Sequence, residues 1–337
     1  MICIFSNSID QSTTDVIRWL HYLGEDDVIR INHDDPNPGN AVKIDVQEGV
    51  FSFLINDRQI HLKDIDAVWY RKGKHWLCDQ FYRVTLDGYS KFTSYLNSRL
   101  QSEESKLAEY VHYIIENTVP AIGSSTKGNL NKLLVLSAAK EIGLLIPDFY
   151  ITNYKEGIKN VFKHYPDLIT KSISDGLYLF ENTESETSYL TYTEKVIEAS
   201  IELLPVRISP SLLQKNIAKK FELRVFFLEG VCYSMAIFSQ SDDQTKIDFR
   251  KYNDEKPNRF VPYILPYETD KKIKQLFKKL NLNTGSADLL VDKNENIYFL
   301  EINSVGQFNM VSGPCNYFLE KQIALNLKAH ATSSRTN

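Results

Sequence analysis

Two acids and an amide near the C-terminus are spaced so that they could bind one metal ion. The segments SADLLVD and NIYFLEIN predict two strands joined by a four-residue loop. If Asp292 lies opposite Ile297, counting back along both strands places Asp288 opposite Glu301, with Cβ atoms about 5 Å apart. Asn303 shares the face of Glu301 because strand side chains alternate. Like charges repel at that distance, so a cation belongs between them, and Mg²⁺ suits carboxylate and amide oxygens. The alternative is a pair of surface acids that turn apart in water.

Two lysines stand where they could bind phosphate groups. Lys171 ends the apolar strand DLITK and precedes the small-residue loop SISDG, whose backbone amides could close over phosphate oxygens. Lys132 interrupts the otherwise apolar helix NLNKLLVLSAAK. The alternative for each is an ordinary solvated lysine. Because the chain has neither a Walker-type phosphate loop nor a GxGxxG fingerprint, a nucleotide site must use other parts.

The stretch LLQKNIAKKFELRVFF could bind a nucleoside. The backbone of Gln214, Lys215, Asn216 and Ile217 crosses between two predicted strands and could read an adenine edge with its own N–H and C=O groups. Eight residues after Gln214, Glu222 could bind ribose hydroxyls, and Arg224 shares its face by strand parity. The alternative is a surface Glu/Arg pair of little energetic weight.

The predicted strand KIDFRKY carries Asp248, Arg250 and Tyr252 on one face. A guanidinium can bind a carboxylate or an acyl phosphate through two parallel hydrogen bonds, so Arg250 is a candidate for holding an activated carboxylate. Asp248 is a candidate general base by its face alone. The alternative is a structural salt bridge between Arg250 and Asp248.

Composition excludes several classes of protein. The chain has 337 residues, a hydrophobic content of 43% and a formal net charge of −4, which give no reason to expect nucleic-acid binding. Its four cysteines form no CxxC pair, which indicates a reducing cytosol and neither a zinc site nor a disulfide framework. The N-terminal MICIFSNS lacks the features of a signal peptide, and no apolar run is long enough for a membrane span. We therefore expect a cytoplasmic protein with no membrane partner.

The elements that position these residues fall into three predicted units. The first, residues 1–118, alternates strands with helices and includes a meander over AVKIDV, GVFSFLIN and RQIHL and a long helix from about Tyr89 to Asn117. The central unit, 119–207, contains both lysines, and the third, 208–330, contains the acids on paired strands. The polar residues 331–337 predict a flexible tail.

Taken together, these residues resemble the ATP-grasp ligases. A Lys in a helix, a Lys before a flexible loop, a hinge followed by Glu, and Asp…Glu-x-Asn near the C-terminus are similar to that family's pattern over residues 119–328. FSNSIDQSTTDVIRWL, DAVWYRKG, AIFSQ, DFRKY and FLEINSVGQF further resemble, over essentially the whole chain, the ATP-grasp peptide maturases that make graspetides, the microviridin-type peptides, and in particular their grasp-with-spasm branch. Ser304 stands where many ATP-grasp enzymes have Pro, a difference expected to alter the turn more than the metal site.

The resemblance implies an α/β (α+β) fold with an N-terminal pre-ATP-grasp domain, a central domain and a C-terminal antiparallel-sheet domain. It implies ATP and Mg²⁺ as cofactors, with two ions expected. The implied partner is a ribosomal precursor peptide with a leader and a core, and a homodimer is possible. Carried over by position, the residues that it implies are Lys132 and Lys171 for phosphates, Gln214 to Ile217 for adenine, Glu222 for ribose, Arg224 and Arg250 near the γ-phosphate and the activated carboxylate, and Asp288, Glu301 and Asn303 for Mg²⁺.

The implied enzyme activates an Asp or Glu side chain of the peptide as an acyl phosphate. A Thr or Ser hydroxyl of the same peptide then attacks it, which gives an ω-ester macrocycle, ADP and phosphate. Two alternatives stay open at this stage. One is an ATP-grasp ligase that forms amide bonds on a peptide, a protein or a small amino acid. The other is a non-catalytic peptide-binding protein on a retired ATP-grasp scaffold.

Overall fold

A computed structural model describes residues 1–34, 43–47, 50–55, 58–72, 84–174, 178–180, 188–190, 193–239 and 258–336. The predicted strand KIDFRKY, with Asp248, Arg250 and Tyr252, lies outside the described residues, as does part of the loop predicted over 172–176. Among the described residues no helix combines the length and apolar character needed to cross a bilayer.

The first unit is built on a parallel sheet. Its elements in chain order are β1 (Ile2–Ser6), α1 (Gln11–Tyr22), β2 (Val28–Asn32), β3 (Lys43–Gln47), β4 (Val50–Ile55), β5 (Arg58–His61), a 3-10 turn (Leu62–Asp64), β6 (Ala67–Tyr70), α2 (Ser90–Thr118) and β7 (Ala121–Ile122). The strand order is β2-β1-β6-β7, all parallel, and β3, β4 and β5 form the predicted antiparallel meander. Asp10 caps α1 by accepting a hydrogen bond from the Thr13 N–H.

The buried residues of the long helix α2 lie in its second half. The apolar spacing predicts five inward positions: Leu96, Leu100, Leu107, Val111 and Ile114. Val111 is buried and Ile114 packs half-buried against the same core, but Leu107 is 41% exposed. The other buried residues of the helix are Ala108, His112 and Ile115.

The central unit contains α3 (Lys132–Glu141), β8 (Phe149–Tyr154), α4 (Lys155–His164), β9 (Leu168–Lys171), β10 (Tyr178–Phe180), β11 (Ser188–Leu190), β12 (Glu194–Lys195), α5 (Glu198–Glu202) and β13 (Arg207–Lys215). Its main sheet is antiparallel with the order β12-β9-β13-β8, and β10 and β11 form a separate hairpin. Because β13 pairs with β8 and β9 as far as Lys215, the change of sheet lies at 216–218 and not at the predicted 207/208 boundary.

The third unit is a five-stranded antiparallel sheet with helices on both faces. It contains β14 (Lys219–Leu228), β15 (Val231–Phe238), β16 (Arg259–Tyr263), α6 (Tyr267–Lys279), β17 (Thr284–Asp292), β18 (Ile297–Asn303), α7 (Asn309–Cys315) and α8 (Leu319–Thr336), with the strand order β16-β15-β14-β17-β18. One face packs against α3 and α6. The other face shares a core with α1 and the parallel sheet, so the first and third units are joined by apolar packing.

The predicted flexible tail is wrong over the described residues 331–336. Helix α8 continues to Thr336, with Ala331 fully buried. The Ser334 hydroxyl donates to the carbonyl of Asp66 at 2.7 Å, and Arg335 Nε donates to the Asp66 carboxylate at 2.7 Å. Polar side chains thus anchor the last helical turn to the first unit, an interaction that local composition cannot reveal.

Candidate active site

The acid pair predicted from the final hairpin is present in the structure. Asp288 in β17 lies directly opposite Glu301 in β18. The loop differs from the prediction by one residue, because Ile297 faces Val291 and not Asp292. A β-bulge compensates, since Leu289 faces Phe299 and Asp288 faces Glu301, which leaves Leu300 as the extra residue.

Positive charge meets this acid pair from two directions. Arg224 lies opposite Asp288 on the neighbouring strand β14, and its Nη1 donates to both carboxylate oxygens at 2.6 and 2.7 Å. On the other side, Lys132 Nζ is 3.5 Å from Glu301 Oε2. The repulsion inferred from the sequence is therefore offset in this structure by Arg224 and Lys132, which the resemblance to ATP-grasp ligases places near the phosphates of ATP.

Lys132 reaches the acids because it begins a helix. The prediction placed it inside α3, but it is the first helical residue, and Asn131 caps the helix by accepting hydrogen bonds from the N–H groups of Leu133 and Leu134 at 3.0 and 3.3 Å. Helix α3 packs against β18, so its first turn lies beside Glu301. A helix N-terminus adds partial positive charge near the same acid.

Asn303 ends β18 and organises the turn that follows. Its Oδ1 accepts hydrogen bonds from the N–H groups of Val305 and Gly306 at 3.1 and 3.2 Å. The Ser304 side chain is buried and donates to the carbonyl of Lys127. A proline at 304 could not make that bond. That the serine alters the turn more than the metal site stays a prediction.

Glu222 and Arg224 share one face of β14, in agreement with the predicted strand parity. Glu222 is buried, forms an ion pair with Lys219 and accepts a hydrogen bond from the Ser239 hydroxyl at 3.2 Å. Burial raises the pKa of Glu222 above its usual value even though Lys219 acts to lower it. A buried carboxylate with a raised pKa, close to a second acid, is typical of functional sites.

The predicted adenine-binding stretch forms the end of β13 and the crossover to β14. Two of its backbone donors are already engaged: Lys215 N–H donates to the Asp148 carbonyl at 2.8 Å and Asn216 N–H to the Asp167 carbonyl at 2.9 Å. Gln214 is 1% exposed, and its amide nitrogen has no hydrogen-bond partner among the described residues. Among the side chains of this stretch, the buried Gln214 amide therefore has a donor nitrogen that no described residue satisfies.

Lys171 is placed on the same sheet as this stretch. It is the last residue of β9 and lies opposite Leu212 in β13, two residues before Gln214. The structure thus groups these residues in two sets. In the first, Arg224 contacts Asp288 and Lys132 contacts Glu301, with the two acids opposite each other on neighbouring strands. In the second, Lys171 lies on the sheet that leads into the crossover.

Two further side chains were not predicted as part of the site, one beside the acids and one at the turn after Asn303. Ser286 lies opposite Asn303 and on the face of Asp288, fully buried, and its hydroxyl has no hydrogen-bond partner among the described residues. Arg71, in the segment DAVWYRKG, reaches the turn after Asn303. The sequence signal for Arg71 was a charged residue placed directly after the apolar run of β6.

Comparison with known proteins identifies the fold. No protein-family model and no curated protein sequence matches the chain. Among solved structures, a RiPP-associated ATP-grasp ligase from Chryseobacterium gregarium, in complex with ADP and a leader and core peptide, superimposes with a TM-score of 0.77 at 24% identity, over 97% of this chain and 96% of that one. Macrocyclase MdnC from Microcystis aeruginosa MRC, bound with its precursor peptide, gives a TM-score of 0.75 at 25% identity, over 98% and 99% of the two chains.

A further solved structure shares the fold. D-alanyl-alanine synthetase A from Vibrio cholerae matches with a TM-score of 0.56 at 13% identity, over 100% of this chain and 98% of that one. The resemblance drawn from the sequence motifs is thus confirmed in the structure. Over nearly its whole length the chain has the ATP-grasp fold, in the form found in these peptide-modifying ligases.

Proposed function

We propose that the protein is an ATP-dependent ligase that closes ω-ester rings in a ribosomally made precursor peptide. The observation that carries this proposal is the pair of opposed acids, Asp288 and Glu301, on neighbouring strands of an ATP-grasp fold, with Arg224 and Lys132 in contact with them. The likeness to peptide-bound ligases supports a peptide substrate made of a leader and a core.

The donor set fits Mg²⁺. The opposed carboxylates of Asp288 and Glu301 and the side-chain amide of Asn303, at the end of β18, provide hard oxygen ligands. The ion would offset negative charge on the ATP phosphates. Asp288, Glu301 and Asn303 would hold it, with two ions expected. Structures of the related ligase PsnB contain Mg and ADP, or AMPPNP, which supports this pairing of metal and nucleotide.

The reaction proceeds in two steps. A peptide carboxylate oxygen attacks the γ-phosphorus of ATP, which breaks the bond to ADP and forms an acyl phosphate. A Thr or Ser hydroxyl then attacks the acyl carbon, loses its proton to a base and expels phosphate. Lys132, Lys171 and Arg224 would stabilise charge on the phosphates, Arg250 would hold the activated carboxylate, and Asp248 is a candidate base. Holding both peptide groups in one cleft adds the benefit of proximity.

Nucleotide binding would rearrange the ion pairs seen in the structure. Arg224 and Lys132 now compensate Asp288 and Glu301. When metal ions take over the acids, both cations can turn to the phosphates without leaving a carboxylate uncompensated. The same reasoning applies to Glu222, which must exchange Lys219 for ribose hydroxyls.

Adenine would bind at the crossover between β13 and β14. Since Lys215 and Asn216 already use their N–H groups, the Ile217 N–H and the buried Gln214 amide are the donors that we assign to the base. Such an amide, buried without a partner, costs free energy unless a ligand satisfies it.

The test is mass spectrometry of a precursor peptide incubated with the protein, ATP and Mg²⁺. We expect the loss of one water per ring, and treatment with mild base should reopen every ring. Rings that survive base would instead indicate amide bonds. That second candidate is favoured by the fold shared with D-alanyl-alanine synthetase A, and turnover of free amino acids without peptide would support its small-molecule form.

Three expectations from the sequence complete the proposal. The units 1–118, 119–207 and 208–330, with the boundary moved to 216–218, would act as pre-ATP-grasp, central and C-terminal ATP-grasp domains. The homodimer and the cytoplasmic location stay predictions.

A further inference from the structure

Arg71 connects the first unit to the turn after the candidate metal ligands. It directly follows β6, its side chain is 4% exposed, and Nη1 donates to the carbonyl oxygens of Val305 at 3.0 Å and Gly306 at 2.8 Å. Its Nε donates to the Ser12 hydroxyl at 3.0 Å. The guanidinium therefore spans the first turn of α1 and the turn after β18, which are almost three hundred residues apart in sequence.

The charge of Arg71 is matched where it is buried. Asp10, the N-cap of α1, has a carboxylate oxygen 3.3 Å from Arg71 Nε, and Lys72 Nζ lies 3.2 Å from the same oxygen. The guanidinium carbon also lies 4.8 Å from the centre of the Phe308 ring. A buried charge is tolerated when it is paired and hydrogen-bonded, and this one satisfies both conditions.

The Arg71 and Asn303 side chains hydrogen-bond to the same turn, at residues 305 and 306. The peptide group between Val305 and Gly306 is bound on both sides, because its carbonyl accepts from Arg71 and its N–H donates to Asn303 Oδ1. Gly306 has a φ of +58°, and a Cβ there would come within 2.9 Å of the Gly285 backbone. The turn is therefore fixed in one conformation by a side chain from another unit and by close backbone packing.

We propose that Arg71 is a positioning residue for the metal site: through the 305–306 turn it fixes the orientation of Asn303 at the end of β18. This inference rests on the proposed function, because it assigns Asn303 to Mg²⁺. It also gives the first unit a role in catalysis that does not depend on touching the substrate. Partners that orient metal ligands from outside the coordination sphere typically change metal affinity about 10-fold to 100-fold.

The experiment compares Arg71→Met, Arg71→Lys and a matched control, Arg335→Met. Arg335 also ties a helix of the third unit to the first unit, through Glu25 and Asp66, but lies on α8 and not on the turn. Two quantities are measured on each full-length variant: amide hydrogen exchange of the segment 303–308 without ligands, and the Mg²⁺ concentration for half-maximal ADP binding. Thermal unfolding confirms that each variant is folded, and Arg71→Lys, which keeps the charge beside Asp10, serves if Arg71→Met does not fold.

We expect faster exchange in 303–308 and an increase of about 10-fold or more in the Mg²⁺ requirement for both Arg71 variants. Arg335→Met should change neither. An unchanged Mg²⁺ requirement, with or without faster exchange, overturns the positioning role. If the unmodified protein shows no Mg²⁺-dependent ADP binding, the proposed function fails, while the exchange data still decide whether Arg71 holds the turn.

Discussion

Replacing Arg224 by Met tests whether the opposed acids form a cation site. In the structure Arg224 binds both carboxylate oxygens of Asp288 through Nη1, and its side chain is 8% exposed, compared with 21% for Asp288. Without the arginine, Asp288 still faces Glu301, whose carboxylate lies 3.5 Å from Lys132 Nζ. The variant should therefore be destabilised, and a divalent ion should be able to replace the missing charge.

The size of the effect follows from the geometry. Unit charges held at the Cβ spacing of opposed strand residues, roughly 5 Å, would repel by about 3 kcal/mol at an effective dielectric constant of about 20. Breaking a buried ion pair by removing one partner costs about 3–5 kcal/mol, and the partial exposure of Asp288 favours the lower end. We therefore expect Arg224→Met to lower the free energy of unfolding by about 3 kcal/mol in EDTA.

The assay is urea unfolding of Arg224→Met and of the unmodified protein, each measured with ADP in EDTA and with ADP in excess Mg²⁺. A ligand at about 100 times its Kd stabilises a folded protein by about 2.7 kcal/mol. Mg²⁺ should raise the free energy of unfolding of Arg224→Met by more than it raises that of the unmodified protein, because in the variant Mg²⁺ no longer competes with a guanidinium for Asp288. The control is Lys279→Met, which removes an exposed pair with Glu141 and should change stability by less than about 1 kcal/mol with no effect on Mg²⁺. Equal Mg²⁺ stabilisation of Arg224→Met and the unmodified protein would refute the reasoning.

Three further predictions concern stability and activity around the same site. Glu301→Gln should cost less than about 1 kcal/mol of stability, because its pair with Lys132 is partly exposed, yet it should abolish peptide-dependent ADP release; cyclisation that survives would contradict the metal assignment. Gly306→Ala should destabilise by at least about 1 kcal/mol, since φ is +58° and the Cβ meets the Gly285 backbone; an unchanged unfolding midpoint would show that the turn is loose. Burial acts to raise the pKa of Asp10, but neighbouring cations and hydrogen bonds outweigh it, so the pKa is lowered overall. The carboxylate therefore contributes its full stabilisation above about pH 4, and this contribution is lost as pH falls through the folded-state pKa. Asp10→Asn should therefore show a shallower loss of stability in unfolding measured below about pH 4.

Local patterns were sufficient to predict most elements that position the site. Strand alternation and turn residues located the final hairpin, and parity placed Glu222 with Arg224 and Asp288 with Glu301. The pairing of the acids was predicted correctly although the loop was one residue off, because the bulge at Leu300 compensates for the difference. Bulges depend on tertiary packing, so a count along two strands does not reveal them.

Interactions between distant segments could not be predicted. Leu107 is exposed although the helical spacing predicts an inward position, and the order of residues 331–336 depends on Asp66 in another unit. Arg71 is the clearest case, since its partners at 305 and 306 come from another unit. The ion pairs of Lys132 and Arg224 are also interactions between distant segments. The sequence indicates that both residues are near a site, but not that they pair with Glu301 and Asp288 in the absence of ATP.

Transfer of oxygen from peptide to phosphate tests the central claim most directly. A precursor peptide whose core Asp and Glu carboxylates carry ¹⁸O is incubated with the protein, ATP and Mg²⁺, and the released phosphate is analysed by mass spectrometry. Activation as an acyl phosphate predicts one ¹⁸O atom in phosphate for each ring closed. Rings that form while the phosphate stays unlabelled would contradict the account, as would ¹⁸O in AMP.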